Sequence, residues 1–297
     1  MAQWVTGFCD RSGSFGLTMY RKGTSWHFKV VFEVLLNIKD IHILETLKSF
    51  FGVGKIYVTN TTATYRVTGF SNLTVIINHF IAYPLISSKH VVFTLWSEAV
   101  NLIGTSQHLV PSTFAYIQTI YAALGRGPSA AVMQAFPSLT PMVLPTHTVT
   151  VTSNNINPWW ISGYLTLYCS FILTIAGGGW GDSVYNRHMF TVSFTMLDFA
   201  LAEVISSHIG LSLYVRTNEQ RVDVMSQSMK EALNLIDFLD VYPLQSYKQE
   251  HYEVWQQYVK DLSDDQFDDL QRRSSNPGPG RFRYYNKLAD RLANLRR

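Results

Sequence analysis

The sequence predicts an α+β fold, duplicated about a pseudo-twofold axis, in which each half runs helix-strand-strand-helix-strand-strand-helix-helix, an αββαββαα unit. Three observations carry this. Two similar apolar segments, Trp4-Val5-Thr6-Gly7-Phe8-Cys9-Asp10-Arg11-Ser12-Gly13 and Trp160-Ile161-Ser162-Gly163-Tyr164-Leu165-Thr166-Leu167-Tyr168-Cys169, each run straight into a strand-like stretch. An offset of 159 superposes Tyr83-Pro84-Leu85 on Tyr242-Pro243-Leu244, Ser87 on Ser246, Lys89 on Lys248, Trp96 on Trp255 and Val100 on Val259. The order of helical and alternating hydrophobic periods is also the same in both halves. The small pairs Thr6-Gly7 and Ser162-Gly163 would let the two motif helices pack backbone to backbone at the centre.

In the first half, Gly13–Tyr20 and His27–Leu36 alternate as strands around the turn 21–25. Lys39–Phe51 has a helical period in Ile43, Leu44, Leu47 and Phe50, and Gly52 ends it. A second hairpin is predicted from Lys55–Thr59 and Ala63–Thr68, then helices over about Asn72–Ala82 and Ser87–Ile103. Pro111, Pro128, Pro137, Pro141 and Pro145 punctuate the next stretch, with one helix at about Ser112–Leu124. The second half repeats the order. Ser170–Ile175 and Met189–Met196 are its first strands, followed by helix Asp198–Ile209. Leu211–Arg216 and Arg221–Met225 form the second hairpin, and helices Gln227–Asp240 and Ser246–Leu262 close the unit. Ser263–Arg273 suits an acidic amphipathic helix, and residues 274–280 a linker. The expected boundaries are residues 1–103 for the first repeat, 104–157 for a connector, 158–262 for the second repeat and 263–297 for the tail.

With 47% hydrophobic residues the chain can bury a sizeable core. No apolar run reaches the length of a membrane span. Cys9 and Cys169 are too few for a zinc site or a disulfide framework and read as buried thiols in a reducing compartment. The net charge of +3 is uneven: residues 271–297 hold eight Lys and Arg against one acid, which leaves 16 against 20 for residues 1–270. None of the nine histidines pairs with another ligand at metal spacing, so His42, His79, His90 and His108 read as polar-face or satisfied interior groups. Gly177-Gly178-Gly179 lacks the lysine and helix of a phosphate loop and reads as a turn. The fold is expected to begin by Trp4 with no presequence.

The segment V-T-G-F-C-D-R-S-G at Val5 to Gly13, continued by Ser14-Phe15, resembles the motif of the LAGLIDADG homing endonucleases of the single-chain, two-motif organellar type. Phe51-Gly52-Val53-Gly54-Lys55-Ile56, Tyr65-Arg66-Val67, the stretch from Ala123 to Pro137 and the lead-in Asn157-Pro158-Trp159 are similar to that family as well. The resemblance implies four-stranded sheets whose concave faces bind DNA, and an acid at the eighth motif position of each helix that holds a divalent metal. Here those positions are Ser12 and Tyr168, and neither supplies an anionic oxygen at neutral pH. Asp10 stands at the sixth position, where the family uses an acid structurally, and Thr166 matches it in the second half. On this basis no catalytic residue, metal or cofactor is expected, and the chain is expected not to be an enzyme.

Nucleic-acid contacts are expected from hairpin residues Arg21, Lys22, Lys29, Lys55, Arg66, Arg187, Arg216 and Arg221. The tail adds Arg281, Arg283, Tyr285, Lys287, Arg291, Arg296 and Arg297, where basic residues interleave with aromatics as phosphate contacts and base stacking require. The same tail composition also suits a solvated segment, and the strand charges suit an ordinary exposed sheet face. The expected function is a catalytically inactive LAGLIDADG-fold protein recruited as a structural RNA-binding component of a mitochondrial ribosome. Its expected partners are ribosomal RNA and neighbouring ribonucleoprotein subunits, in the mitochondrial matrix, with no need to homodimerise. The alternatives are a group I intron maturase, a DNA-binding homing endonuclease with altered ligands, and an accessory subunit that binds no nucleic acid.

Overall fold

Helix α1 (Ala2–Ser12) has seven consecutive buried residues, Trp4 to Asp10. A helix buried all round rather than along one stripe is a core element and not a surface one. The structure, a computed structural model, describes residues 1–125, 127–176, 185–263 and 279–295. Contacts divide the chain into two units, Met1–Thr150 and Val151–Arg297.

In the first unit α1 leads into β1 (Gly13–Lys22) and β2 (Ser25–Asn37), followed by α2 (Ile41–Phe51), β3 (Lys55–Val58), β4 (Thr62–Val67), α3 (Phe70–Ala82) and α4 (Lys89–Gly104). The sheet is antiparallel in the order β1-β2-β4-β3. Lys22 pairs with Ser25, which leaves a two-residue turn at Gly23-Thr24 in place of the expected five-residue loop. Gly23 makes this possible with a φ of 62°, the left-handed backbone that such turns demand. Helix α5 (Pro111–Ala123) follows, then a short helix α6 (Ala130–Ala135) that the proline punctuation concealed. Ser129 caps α6, its hydroxyl accepting from the Val132 N–H.

Alternation assigns the two sheet faces. Phe15, Leu17 and Met19 of β1 and Phe28, Phe32, Val34 and Leu36 of β2 face the helices and are buried. Phe15 is the hub, its ring centroid 5.1–5.7 Å from those of Phe32, Phe80, Phe93 and Trp96. Such tilted aromatic pairs each add about 0.5–1.5 kcal/mol beyond burial.

The second unit repeats this plan with α7 (Pro158–Leu165), β5 (Cys169–Ala176), β6 (Tyr185–Thr195), α8 (Phe199–Ile209), β7 (Ser212–Arg216), β8 (Arg221–Met225), α9 (Met229–Val241) and α10 (Lys248–Ser263). Its sheet has the equivalent order β5-β6-β8-β7. Phe171 takes the part of Phe15, with Phe190, Tyr252 and Trp255 at 5.4–5.7 Å. Asn157 opens α7 by accepting from the Trp159 N–H, and Ser228 and Glu231 form a capping box on α9.

The tail departs from expectation. Residues 279–295 form a last helix, α11 (Pro279–Leu295), docked on α10 and β5. Tyr285 is buried with its ring 5.0 Å from that of Tyr258, Leu292 is buried, and His251 Nε2 hydrogen-bonds the Leu295 carbonyl at 3.0 Å. A buried tyrosine cannot stack on a base, so Tyr285 holds the helix in place instead. Leu292→Ala is expected to cost about 2–5 kcal/mol. The loss should register as a lower urea midpoint with earlier proteolysis within 279–295. The expected helix over 263–273 falls, after Ser263, outside the described residues, as does the turn at 177–179.

Candidate nucleic-acid interface and motif helices

The C-terminal end of α1 is built around a buried carboxylate. Asp10 Oδ2 accepts from the backbone N–H of Ile86 at 2.6 Å and of Ser87 at 3.1 Å, and its Oδ1 accepts from the Ser87 hydroxyl. Burial pushes the Asp10 carboxyl above the ordinary carboxylate range, while those hydrogen bonds and the nearby Lys89 pull the other way. Lys89 Nζ donates to the carbonyls of Arg11 and Gly13 at 3.0 and 2.7 Å and lies 3.5 Å from that of Cys9. A cation on the last carbonyls complements the helix dipole. The segment Tyr83-Pro84-Leu85 and the following turn are thereby tied to the motif helix.

The second unit ties the same segment with neutral groups. The Ser162 hydroxyl donates to the Pro243 carbonyl at 2.9 Å, and the Ser246 hydroxyl to the Thr166 carbonyl at 2.5 Å. Its motif helix is also shorter, ending at Leu165 with residues 166–168 in a turn. The cause lies at the residue that follows the motif. A Cβ on Gly13 would stand 2.7 Å from the Cys9 carbonyl oxygen. Cys169, at the matching place, carries that atom, and the chain leaves the helix early. Ser12 therefore ends a helix, whereas Tyr168 projects from a turn and is 45% exposed.

The side chains at the two motif ends offer a divalent metal few ligands. Ser12 Oγ is shut off from solvent and has no hydrogen-bond partner among the described residues, Tyr168 is a phenol, and Asp10 has its oxygens committed to the 86–87 turn. Among the described residues no three His, Cys, Asp or Glu side chains group as a metal site. The side chains at the motif ends do not fit a hard cation, which takes several anionic or carbonyl oxygens. Both thiols are buried; burial raises that of Cys9 and pushes that of Cys169 up to about 12, so they are not nucleophiles.

His79 lies against Phe50, Phe51, Phe80 and Tyr83 and shares a hydrogen bond of 3.0 Å with the Thr6 hydroxyl. Burial lowers its pKa to about 4. A histidine kept neutral by folding contributes stability above its unfolded value near 6.5, and that stability is lost as the pH falls toward about 4. Denaturation followed between pH 7 and 4 should show this decline, and His79→Gln should flatten it.

The face of each sheet turned away from its helices collects all of the predicted hairpin cations but Arg21. In the first unit, register places Lys22, Lys29, Lys55 and Arg66 on that open face together with Tyr20, His27, Leu35 and Tyr57. Leu35 on the inner strand β2 is 60% exposed, and Tyr57 and Tyr20 on the edge strands are 50% and 46% exposed, so large apolar groups share this face with the cations. Arg66 pairs with Glu33 and its guanidinium lies 5.2 Å from the centre of the Tyr57 ring. Arg21 has the opposite parity and turns back to donate from Nε to the Gly23 carbonyl at 3.1 Å. In the second unit Arg216 and Arg221 share the open face, and the register gives Arg187 the same parity, although its side chain is outside those described. Arg216 is held by the buried Asp223 at 2.6 Å and by Glu219 at 3.3 Å. Of the tail residues, Lys287 and Arg291 are exposed on α11, the side chains of Arg281 and Arg283 are outside those described, and Arg296 and Arg297 lie beyond the described residues. The sequence reading picked the cations and missed the exposed Tyr20, Leu35 and Tyr57, which the strand alternation and pairing would have given.

Comparison with known proteins extends these observations. The LAGLIDADG endonuclease family matches residues 5–100 and 171–259. Two Neurospora crassa proteins are similar over most of the chain. "Probable intron-encoded endonuclease 3" is 25% identical over 85% of the chain and 49% of its own length, and "Probable intron-encoded endonuclease 2" is 23% identical over 84% and 57%. The chain thus spans about half the length of these relatives. Among solved structures, the LAGLIDADG homing endonuclease I-GzeII in complex with its DNA target superposes with a TM-score of 0.84 at 23% identity, covering 98% of this chain and 97% of that one. The LAGLIDADG meganuclease I-CpaMI bound to uncleaved DNA gives 0.84 at 23% identity, covering 98% of each.

These findings correct two expectations. A structural RNA-binding component of a mitochondrial ribosome does not stand, because the similar proteins are described as intron-encoded endonucleases and as homing endonucleases on DNA; the maturase alternative gains no support either. The expectation that the chain is not an enzyme is overturned by the same family match, since Ser12 and Tyr168 alone do not remove a chain from a family of endonucleases. Among the described residues no helix is long and apolar enough to cross a membrane. The duplicated α+β fold, the motif helices and the two four-stranded sheets place the chain in the LAGLIDADG endonuclease family, to which it belongs.

Proposed function

We propose that the chain recognises double-stranded DNA as an intron-encoded homing-type endonuclease, with the open face of each sheet set against the major groove of one half-site. The observation that carries this is the first sheet, where Lys22, Lys29, Lys55 and Arg66 share the face turned away from the helices of the described residues. Two-stranded ribbons fit the major groove, and cations on such a surface gain affinity by releasing counterions from the phosphates. Exposed Tyr20 and Tyr57 supply apolar surface beside those cations. Arg221 is the matching exposed cation of the second half, with Arg187 of the same strand parity, and Lys287 and Arg291 of α11 are secondary phosphate contacts.

Recognition rests on the sheets, and strand cleavage rests on the family. Relatives from Podospora anserina and Schizosaccharomyces pombe described as proteins of ND4 and cox1 introns support a mitochondrial-intron origin. The test uses a duplex selected by the full chain from a randomised library, incubated with Mg2+ or Mn2+. Retention of the duplex with metal-dependent cutting is the expected result, and it requires that the metal be held by oxygens other than the Ser12 and Tyr168 side chains, such as backbone carbonyls and the DNA phosphates. Binding without cutting would reject the nuclease part alone, and absence of any preferred duplex would reject the whole reading.

A further inference from the structure

The open faces of the two sheets differ at equivalent places. In the first sheet the register aligns Glu33, Arg66 and Lys55 across three strands. The matching row in the second sheet is Thr191, Met225 and Ser212, with no charge. One step along, Gly16 and Val31 are replaced by Ile172 and Met189. The centre of the second face is therefore uncharged where that of the first is charged, with Met189 and Met225 beside the hydroxyls of Thr191 and Ser212.

Met189 and Met225 form the floor of a hollow of about 650 Å3 whose walls are polar, with Tyr214, Arg216, Asn218, Glu219 and Gln227 around it. Gln227 Nε2 donates to Met225 Sδ at 3.1 Å, which holds the amide over the thioether. Asp223 is fully buried beside the hollow and takes up the Arg216 charge. A phosphate is thus not drawn to this centre, although Arg221 at the edge remains exposed. In the major groove the one apolar mark on a base pair is the thymine 5-methyl group, and its partner adenine offers N6 and N7 to a side-chain amide.

We propose that this hollow reads A·T base pairs, with the partly exposed Met189 receiving a thymine methyl group, Met225 beneath it as support, and Gln227 placed to address adenine. The proposal rests on the DNA reading above and adds that the two half-sites are read by different chemistry. The half-site under the second sheet is A·T-rich, whereas the half-site under the first is gripped by charge.

The test replaces thymine by deoxyuridine in a selected duplex, one half-site at a time, which removes the methyl group and leaves base pairing intact. Affinity for the full chain should fall about fourfold for each contacted thymine, the worth of one buried methyl, and only in one half-site. In Met189→Ala that loss should shrink to less than twofold, while Lys29→Ala should leave it unchanged. Equal affinity for the uracil and thymine duplexes in both halves would overturn the proposal while leaving DNA recognition intact. A library with no preferred duplex would overturn DNA recognition itself. The uracil comparison is made on the unaltered protein, so the proposal stays open to refutation even if Met189→Ala does not fold.

Discussion

Asp10→Ala should be the most damaging single substitution in the first unit, costing about 3–5 kcal/mol. It leaves the Ile86 and Ser87 N–H groups and the Ser87 hydroxyl without their acceptor, and it leaves Lys89 without the carboxylate beside it. Each orphaned buried donor costs about 1–3 kcal/mol. Against a total stability of about 5–15 kcal/mol such a change approaches unfolding. Asp10→Asn keeps one acceptor oxygen and should cost about 1–2 kcal/mol. Urea midpoints for the two variants measure this order. A divalent cation should not alter it, because Asp10 holds a turn and not a metal. Metal stabilisation of the unaltered protein that disappears in Asp10→Asn would contradict the structural role.

The second large effect concerns binding. Replacing Lys22, Lys29 and Lys55 together by alanine removes three exposed cations from one face. If each neutralises one phosphate, the slope of log affinity against log salt should become shallower by about 2.7. Affinity near physiological salt should fall at least tenfold, whereas stability should change by less than about 0.5 kcal/mol, as exposed positions normally do. Filter binding across a salt series, with a urea titration on the same preparation, separates the two quantities. An unchanged salt slope would move the DNA contacts off this sheet.

Much of the fold was legible because its signals are local or repeated. The 159-residue offset disclosed the duplication through seven identities from Tyr83 to Val100, among them Trp96 and Trp255, whose side chains fill the same place in each core. Strand β8 (Arg221–Met225) was found to the residue, since a left-handed Gln220 bounds it on one side and Ser226 to Ser228 on the other. What was missed depends on tertiary contact. The docking of α11 needs Tyr258 to be facing Tyr285, which composition does not reveal. The early end of α7 follows from one Cβ at Cys169 meeting a carbonyl, a clash visible only once Gly13 is seen in place. The ion pair of Arg216 with Asp223 crosses two strands and needed the register. The functional expectation failed for another reason. It weighed two side chains, Ser12 and Tyr168, above the scaffold around them, although the sheets that would meet nucleic acid retain their exposed cations.

The most direct measurement is footprinting of the full chain on a duplex selected from a randomised library, run beside the Lys22, Lys29 and Lys55 triple variant. Recognition of DNA by the sheets predicts one preferred sequence with two protected half-sites. In the triple variant, protection should weaken and lose salt sensitivity in one half before the other. Protection that is the same in both proteins, or no preferred duplex at all, would contradict it.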